Sequence, residues 1–500
     1  MYHRALEARD RRFDGVFFVG ISTTGIYCRP VCPSRRANPA HRRFFPSAAA
    51  AEAAGFRPCL RCRPELAPGR AQVDSVSRLV AAAVERIGAG ALDGHSVASL
   101  AADLRVTERH LRRVLRQEMG VSPVELAQTH RLLFAKRLLA DTTLSVSRIA
   151  FASGFQSLRR FNALFHERYR MSPTAVRRVA GGSESVAHRP SGRMAPQGDP
   201  DTERIRLTLP YREPFALEPL MAILRREAVP GVEVVQGRRY ARTVQLDGCR
   251  GVVLAEFRGA GSVRIEVSAS LLSGLVPMLA RLRRLFDLDA EPDVVDAHLA
   301  AGGLGSLVRR RPGIRVPGVF DGFEFALLAI LRDARSGGPT SEIVRQVVRE
   351  LGEPVDSGVT GLDRLTPTPA RVATAGHGAL QALGVPGVKA EAVVAVADLV
   401  SHGELRLEPG TEVHRAGRVL AELDGVGEPL AALITMRALH WPDAFPARDT
   451  ALQLRSGAAG AAALRALAER WRPWRAYAAM QLWLDDLEAG IRVAAIGKIA

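Results

Sequence analysis

Two segments decide the fold of the N-terminal region: F-F-V-G-I-S-T-T-G-I-Y-C-R-P-V-C (Phe17–Cys32) and E-A-A-G-F-R-P-C-L-R-C-R-P-E (Glu52–Glu65). Cys28 and Cys32 are separated by three residues and Cys59 and Cys62 by two, with 26 residues between the pairs. Two close pairs joined by a loop can surround a tetrahedral zinc ion, whose preferred ligands include thiolates. The charged N-terminus has no apolar core of a signal peptide, which predicts a cytoplasmic protein, where disulfides are disfavoured. We therefore interpret the four cysteines as ligands of one zinc ion.

The residues around the cysteines resemble the N-terminal domain of the Ada adaptive-response family. The resemblance covers nearly all of residues 1–70, including the Cys-Arg-Pro and Arg-Pro-Cys contexts. It implies that Cys28 is catalytic and takes a methyl group irreversibly from a methylated backbone phosphate of DNA. The residues alone leave open a second interpretation, in which zinc only stabilises a domain too small to fold unaided.

The charge of the site suggests how methylation acts. Zinc keeps Cys28 as a thiolate, the nucleophilic form. Four thiolates on one zinc ion carry a net charge of −2, and alkylation of one sulfur changes this to −1, which reduces repulsion from DNA. We expect the neighbouring arginines to hold the phosphodiester as a group, although each one is equally typical of a solvated surface. They are Arg29, Arg35, Arg36, Arg42 and Arg43.

The positive charge of the chain is concentrated in its first third. Residues 1–180 contain 30 of the 69 basic residues but only 14 of the 52 acidic ones, so they carry +16 of the net +17. A polyanion partner explains this better than a solvated basic surface, because neutralising phosphates releases counterions and drives binding.

Two related helical units lie in this basic region. In the first, within 97–114, an apolar helix is followed by a turn near Arg105 and a second helix capped by Thr107, with Leu111 and Val114 facing inward. The exposed part of that second helix presents Arg109, His110, Arg112 and Arg113. In the second unit, Val146–Phe165, Ser157 is the cap, and the presented residues are Gln156, Ser157, Arg159, Arg160 and Asn162.

Each unit is followed by G-V-S-P or R-M-S-P, and the Gly154-Phe155 turn precedes a Phe161/Phe165 pair. These features resemble the AraC-type DNA-binding domain. The resemblance implies that the second helix of each unit enters the major groove, where arginines favour guanine. The alternative is a helical bundle with a basic exterior.

The C-terminal half carries a further set of motifs. Leu423–Ala431 reads L-D-G-V-G-E-P-L-A, and its Gly425 and Gly427 suit a helix-hairpin-helix that seats a DNA phosphate at a helix N-terminus. A-F-P-A-R-D-T-A-L (Ala444–Leu452) and R-W-R-P-W-R-A-Y-A-A-M-Q-L-W-L (Arg470–Leu484) follow. The set resembles the AlkA-type 3-methyladenine DNA glycosylase, loosely over residues 204–500.

That resemblance implies a catalytic role for Asp449, which would stabilise positive charge on the sugar as the damaged base leaves. The alternative is that Asp449 is a helix N-cap, and the two roles are geometrically compatible. Trp474, Tyr477 and Trp483 are candidates for the base pocket, and each is equally typical of a core residue.

Some positions depart from the glycosylase pattern. Arg332, Asp333, Ala334, Arg335 and Ser336 replace residues that wedge into the duplex in relatives. Glu428, Pro429 and Leu433 occupy places where an aromatic side chain often stacks on the base. Because base flipping needs both a wedge and a stacking surface, we expect weak or narrow excision activity.

We therefore predict a multidomain α+β protein. The predicted parts are a zinc methyl-acceptor domain (1–72), an all-α double helix-turn-helix (73–180), a flexible linker (181–203), an α+β subdomain (204–290) and an all-α helix-hairpin-helix glycosylase-like domain (291–500). Double-stranded DNA, both alkylated and promoter, and RNA polymerase are the expected partners. No apolar stretch is long enough to cross a membrane, and we expect a monomer.

Two functional hypotheses follow, and they differ at Asp449. The first is an enzyme that accepts methyl groups at Cys28, activates transcription when methylated and excises alkylated purines. The second is a damage sensor and regulator whose C-terminal half is a catalytically weakened DNA-binding remnant.

Overall fold

A computed structural model of the chain describes residues 1–68, 78–184, 204–246, 248–259, 261–333 and 340–488. The chain forms two compact units. The first comprises Met1–Arg212, Leu246–Gly251 and Phe257–Ala280. The second comprises Glu213–Gln245, Val252–Glu256 and Arg281–Ala500.

The N-terminal region is built on a small four-stranded sheet with the order β3-β1-β2-β4. Its strands are β1 (Phe18–Ile21), β2 (Ile26–Cys28), β3 (Arg42–Phe45) and β4 (Arg57–Pro58), and its helices are α1 (Tyr2–Ala8) and α2 (Ala48–Ala53). Strand β1 is antiparallel to β2 and β3, whereas β2 and β4 are parallel. A small aromatic core lies on this sheet, formed mainly by Phe18, Tyr27, Phe45 and Phe56.

Seven helices form the basic region that follows. They are α3 (Arg78–Gly88), α4 (Val97–Asp103), α5 (Glu108–Met119), α6 (Pro123–Asp141), α7 (Val146–Ala152), α8 (Leu158–Tyr169) and α9 (Pro173–Glu184). Thr107 caps α5 by accepting a hydrogen bond from the His110 amide, and Ser157 caps α8 through the Arg160 amide. Arg105 adopts a positive φ of 56° in the turn between α4 and α5. Both predicted helix-turn-helix units, with their caps, are confirmed.

The long helix α6 connects the two helix-turn-helix units. Ser122 caps it in a reciprocal arrangement with Glu125, each side chain bonding the other residue's backbone amide. Helices α4 and α5 precede α6, and α7 and α8 follow it. Helix α9 extends to Glu184, four residues into the predicted linker, and the rest of that linker lies outside the described residues.

A second sheet has five strands in the order β5-β9-β8-β7-β6. They are β5 (Arg204–Pro210), β6 (Glu233–Gln236), β7 (Arg239–Leu246), β8 (Cys249–Phe257) and β9 (Ser262–Ser268), with helices α10 (Leu217–Glu227) and α11 (Leu275–Leu285). Strand β5 pairs antiparallel with β9, and β6 with β7. Along β5 buried and exposed residues alternate, which is typical of a strand with one face against a core. The predicted mixture of strands and helices over 204–290 is therefore present.

The remainder of the described chain is helical, as predicted. Its helices are α12 (Pro292–Leu299), α13 (Gly305–Arg310), α14 (Gly322–Arg332), α15 (Thr340–Leu351), α16 (Pro369–Ala382), α17 (Gly387–Ser401), α18 (Val413–Glu422), α19 (Gly427–Ala438), α20 (Thr450–Ser456), α21 (Ala461–Ala468) and α22 (Arg475–Glu488). A large apolar core collects buried side chains from α14 to α19, among them Leu327, Val347, Val396, Leu420 and Ile434. Among the described residues, no helix has the length and apolarity needed to cross a membrane.

Two phenylalanines of the second helix-turn-helix unit provide a matched test of this packing. Phe161 of α8 is fully buried against Phe155 and Phe165, whereas Phe151 of α7 is 55% exposed. We expect Phe161→Ala to lower the free energy of unfolding of this unit by about 3–5 kcal/mol, because it removes a buried ring and leaves a cavity. Phe151→Ala should change it by no more than about 0.5 kcal/mol.

Hydrogen exchange of peptides covering α7 and α8 in the full-length protein measures this difference. Similar exchange in the two variants would contradict the assignment of Phe161 to the core.

Candidate functional site

The four N-terminal cysteines come together as a single cluster. Cys28 ends β2, and the parallel pairing of Tyr27 with Pro58 brings Cys59 beside it. The four sulfur atoms of Cys28, Cys32, Cys59 and Cys62 all lie within 4.8 Å of one another. A zinc ion bound at about 2.3 Å from four sulfurs requires sulfur–sulfur separations of about 3.8 Å. The cluster therefore has the donor set and the size of a zinc site, and the zinc prediction is confirmed.

The cysteines differ in their surroundings. Cys59 and Cys62 are buried, with 6% and 7% exposure, whereas Cys28 and Cys32 are half-buried. The backbone amide of Arg29 donates to the Cys62 sulfur at 3.4 Å. A hydrogen bond to a thiolate withdraws electron density from it and makes it less nucleophilic. Cys62 is therefore suited to a structural role, whereas Cys28 and Cys32 are the more accessible of the four.

Asp14 is a site residue that sequence reasoning missed. It is buried, and its carboxylate accepts two hydrogen bonds from the Arg29 guanidinium, one of them at 2.8 Å. The same guanidinium donates to the Cys62 carbonyl at 3.1 Å. Arg29 was predicted to contact DNA, which stays a prediction, and in this structure its side chain links the cysteine loops to Asp14. No pattern in the sequence indicates this pair, because Asp14 lies within a run of ordinary charged residues.

The other four predicted phosphate-binding arginines divide into two kinds. Arg42 donates to the Ala37 carbonyl and to Glu7, and Arg36 donates to the Leu6 carbonyl, so both hold the loops around the sheet. Arg35 and Arg43 are exposed, and Arg43 lies 5.3 Å from the centre of the Phe45 ring. Arg35 and Arg43 are thus the predicted arginines best placed to meet a phosphate.

Helices α5 and α8 are the second helices of the two helix-turn-helix units, and we call them the recognition helices. They present their predicted side chains outward. Arg109, Arg112 and Arg113 are exposed on α5, while Leu111 is fully buried. Arg112 pairs with Glu108 at 2.7 Å, and Arg113 lies 3.1 Å from the His110 ring nitrogen. At the start of α8 and just before it, the exposed side chains are Gln156, Ser157, Arg159, Arg160 and Asn162. Two basic helix faces are therefore available to a nucleic acid.

The hairpin between α18 and α19 depends on its glycines. Gly425 and Gly427 have positive φ values of 80° and 68°. A Cβ atom at residue 425 would lie 2.8 Å from the Val388 carbonyl, so only glycine fits there. The turn places the N-terminus of the twelve-residue α19 where its amides can face an anion.

Glu428 is the first residue after this turn, and its carboxylate is paired. It accepts from Arg448 at 2.8 Å and from Arg465. Leu433, five residues further along α19, packs against the large apolar core. The hairpin therefore presents a charged cluster and no aromatic side chain at the predicted stacking positions.

Asp449 is buried and serves as the N-cap of α20. Its Oδ1 accepts hydrogen bonds from the Leu452 amide at 2.8 Å and from the Trp483 indole nitrogen at 3.1 Å. The capping role is thus present. The two bonds fix the carboxylate in one orientation, which is also what a catalytic carboxylate requires.

The candidate pocket aromatics are all buried. Trp483 is tied to Asp449, whereas the Tyr477 hydroxyl donates to Asp287 at 2.8 Å, and burial raises the Tyr477 pKa well above its usual range. Trp474 packs edge-on against Tyr477, with ring centres 5.7 Å apart. Trp483 is therefore the aromatic most closely associated with Asp449, a pairing that spacing alone did not reveal.

The predicted wedge segment is only partly described. Arg332 ends α14 and is half-buried. Burial lowers its pKa, and the nearby carboxylates of Glu227, Glu233 and Glu324 oppose that shift. The prediction that Arg332 and the residues after it replace the wedge of relatives stays a prediction. Asp333 follows as the C-cap, and its carbonyl accepts from the buried Lys389. Ala334, Arg335 and Ser336 lie outside the described residues.

Three family models match parts of the chain. The metal binding domain of Ada matches residues 1–65, a helix-turn-helix domain matches residues 100–179, and the AlkA N-terminal domain matches residues 206–321. These matches follow the order of the regions described above.

Curated relatives cover the whole chain or its parts. A protein of Mycobacterium tuberculosis (strain ATCC 25618 / H37Rv), named probable bifunctional transcriptional activator/DNA repair enzyme AlkA, is 37% identical over 486 residues, covering 96% of this chain and 95% of that protein. DNA-3-methyladenine glycosylase 2 of Escherichia coli (strain K12) is 33% identical over 280 residues, or 56% of this chain and 97% of that protein. The bifunctional transcriptional activator/DNA repair enzyme Ada of the same strain is 36% identical over 133 residues, or 26% of this chain and 35% of that protein.

The cysteine cluster generates a direct test. We expect the purified protein to carry one zinc ion per chain, measured by elemental analysis. Cys59→Ala should lose most of the zinc, because it removes a buried ligand, whereas Cys249→Ala should retain it, because Cys249 lies on β8 and not in the cluster. Natively folded wild-type protein without zinc would contradict the assignment.

Proposed function

This chain belongs to the family of bifunctional transcriptional activator/DNA repair enzymes. We propose that it, too, repairs alkylated DNA and activates transcription in response. Cys28 accepts a methyl group from a DNA methylphosphotriester, the recognition helices bind promoter DNA, and the C-terminal half excises alkylated purines. The observation that carries the proposal is the cluster of four cysteine sulfurs in which Cys28 remains half-buried. The proposed domains are those predicted from the sequence, from the acceptor domain at 1–72 to the glycosylase domain at 291–500.

The first reaction is a displacement at carbon. Zinc, when bound by Cys28, Cys32, Cys59 and Cys62, keeps these side chains as thiolates at neutral pH. The Cys28 sulfur attacks the methyl carbon, a sulfur–carbon bond forms, and the carbon–oxygen bond of the phosphotriester breaks. Its electron pair remains on oxygen, which restores the anionic phosphodiester. Because the thioether product is stable, each chain reacts once.

The reaction also changes how the protein meets DNA. The sulfur loses its negative charge, so the N-terminal region repels the phosphate backbone less after methylation. The recognition helices α5 and α8 then bind promoter DNA more tightly, through Arg109, His110, Arg112 and Arg113 in the first unit and Gln156, Ser157, Arg159 and Arg160 in the second. A monomer bound in this way recruits RNA polymerase in the cytoplasm.

The C-terminal half performs base excision. Gly425 and Gly427 seat a DNA phosphate at the start of α19, and Asp449 stabilises the positive charge that develops on the sugar. The Trp483 indole holds the carboxylate in place. Alkylated purines are the preferred substrates because their own positive charge weakens the glycosidic bond. The paired Glu428 and the core-packed Leu433 provide little stacking surface, so we expect the activity to be weak or narrow.

Methyl transfer to Cys28 is tested by peptide mass mapping after incubation with DNA that contains methylphosphotriesters. We expect one methyl group per chain, on Cys28 alone, and no transfer to a Cys28→Ser variant. Cys249→Ser serves as the control that leaves the cluster intact. A methyl group on Cys59, Cys62 or Cys249 in the wild-type protein would overturn the assignment of Cys28.

Base excision is tested with duplex DNA that contains 3-methyladenine or 7-methylguanine, by measuring released base. We expect Asp449→Asn to lower the rate by roughly 10²–10³-fold, because an amide cannot stabilise the charge of the departing sugar. Asp398→Asn, an exposed change on α17, should leave the rate unchanged. Methyl transfer at Cys28 should be unaffected by both substitutions.

If wild-type protein released no more base than a protein-free control, the excision activity would be refuted. The sensor and regulator hypothesis would then describe the whole chain, with the paired Glu428 as the feature that favours it.

A further inference from the structure

A buried carboxylate joins the cysteine-bearing sheet to the helix-turn-helix region. Glu52 of α2 is buried, and its two oxygens accept hydrogen bonds from different partners. The Tyr27 hydroxyl donates at 3.0 Å, and the Thr129 hydroxyl of α6 donates at 3.0 Å. Tyr27 immediately precedes Cys28 on β2. One chain of hydrogen bonds therefore runs from α6 to the residue adjacent to the methyl acceptor.

A second buried contact lies beside the other cysteine pair. Glu65 follows Cys62 by three residues, and its carboxylate accepts from Lys136 of α6 at 2.5 Å. Both side chains are almost fully buried, with 2% and 3% exposure. Next to this pair, Arg63 donates to Asp141 at the end of α6 at 2.7 Å. The two cysteine pairs are thus each connected to the same helix.

Apolar packing closes the space around these polar contacts. Ala49 of α2 belongs to the core that contains Leu115 and Met119 of α5 and Leu126 of α6. Burial raises the Glu52 pKa to about 7, against the effect of the hydrogen bonds from Thr129 and Tyr27, with Arg168 and Lys136 as the nearby positive charges. A buried carboxylate whose two oxygens are both bonded holds its partners in a specific geometry, because a lost partner leaves an unsatisfied buried group.

The position of α6 relates the hydrogen bonds of Glu52 to the orientation of DNA at Cys28. Helix α6 lies between the two helix-turn-helix units and contacts both α5 and α7. A rigid link from α6 to β2 therefore fixes Cys28 relative to the recognition helices. DNA held by those helices would present its backbone to Cys28 in one geometry, and correct orientation of reactants accelerates a displacement strongly.

We propose that Thr129, acting through Glu52 and Tyr27, is a positioning residue that couples DNA binding by the recognition helices to methyl transfer at Cys28. The inference rests on the proposed methyl transfer and adds the way in which the substrate is presented. Neither Thr129 nor Glu52 touches the reacting atoms, so their removal slows transfer from DNA without changing the reactivity of the Cys28 sulfur.

Thr129→Val is the sharpest variant, because it removes one hydroxyl on α6 without altering the size of the side chain or any residue of the acceptor domain. Its reaction is compared with two methyl donors: duplex DNA containing methylphosphotriesters, and methyl iodide, which needs no DNA contact. We expect a roughly tenfold slower reaction with DNA, which corresponds to about 1.4 kcal/mol, and an unchanged rate with methyl iodide.

Two further variants serve as controls. Thr129→Ser retains the hydroxyl and should restore the rate with DNA. Thr174→Val makes the same chemical change at an exposed position of α9 and should have no effect. Equal rates with DNA for wild type and Thr129→Val would overturn the proposal. Equal slowing with both donors would also overturn it, because it would show damage to the sulfur cluster itself.

Hydrogen exchange of residues 26–28 provides a second test that does not depend on repair. Binding of undamaged duplex DNA should protect β2 in the wild type but not in Thr129→Val. If wild-type protein takes a methyl group from methyl iodide but none from DNA, the proposed function fails, and the exchange measurement still decides whether the link exists. Equal protection in the two proteins would overturn the link.

Discussion

Four cysteine sulfurs lie within 4.8 Å of one another, and as thiolates they would repel one another strongly without a cation between them. Zinc relieves that repulsion and at the same time joins the end of β2 to the loop after β4. The small sheet has few buried apolar side chains, so metal binding supplies much of its stability. The same requirement makes the site chemically active, because it maintains a thiolate at neutral pH. Stability and reactivity of the N-terminal region therefore have one physical origin.

Buried charged groups join several pairs of elements in the described chain. In the first compact unit, Glu52 and Glu65 connect the four-stranded N-terminal sheet and its cysteine loops to α6. In the second compact unit, the buried Arg242 of β7 pairs with Glu324 of α14 at 2.7 Å and lies over the Phe320 ring. Such pairs add little net stability compared with apolar packing, but removing one partner is costly because a charge is left buried. We interpret them as determinants of the geometry between elements.

The C-terminal half combines an oriented buried carboxylate with a hairpin that has no aromatic side chain at the predicted stacking positions. Asp449 is buried, oriented by two hydrogen bonds and adjacent to Trp483, which is the arrangement expected of a functional carboxylate. Around the hairpin, by contrast, Glu428 is paired with two arginines and the neighbouring apolar residue belongs to the core. Binding a flipped base relies on stacking surfaces, whereas cleaving its bond relies on charge.

The helices, caps and metal ligands could be predicted from the sequence alone, because local rules specify them. The cysteine spacing predicted the zinc cluster, Thr107 and Ser157 predicted helix starts, and Gly425 and Gly427 predicted the hairpin, since each of these features depends on neighbours close in the chain. Tertiary structure decided the partners of individual charged side chains. Arg29 pairs with Asp14, fifteen residues away, and Glu52 accepts a hydrogen bond from Thr129, which lies 77 residues further along the chain. No local pattern distinguishes an arginine that will bind phosphate from one that will neutralise a buried acid, because that choice depends on which carboxylates the fold brings within reach.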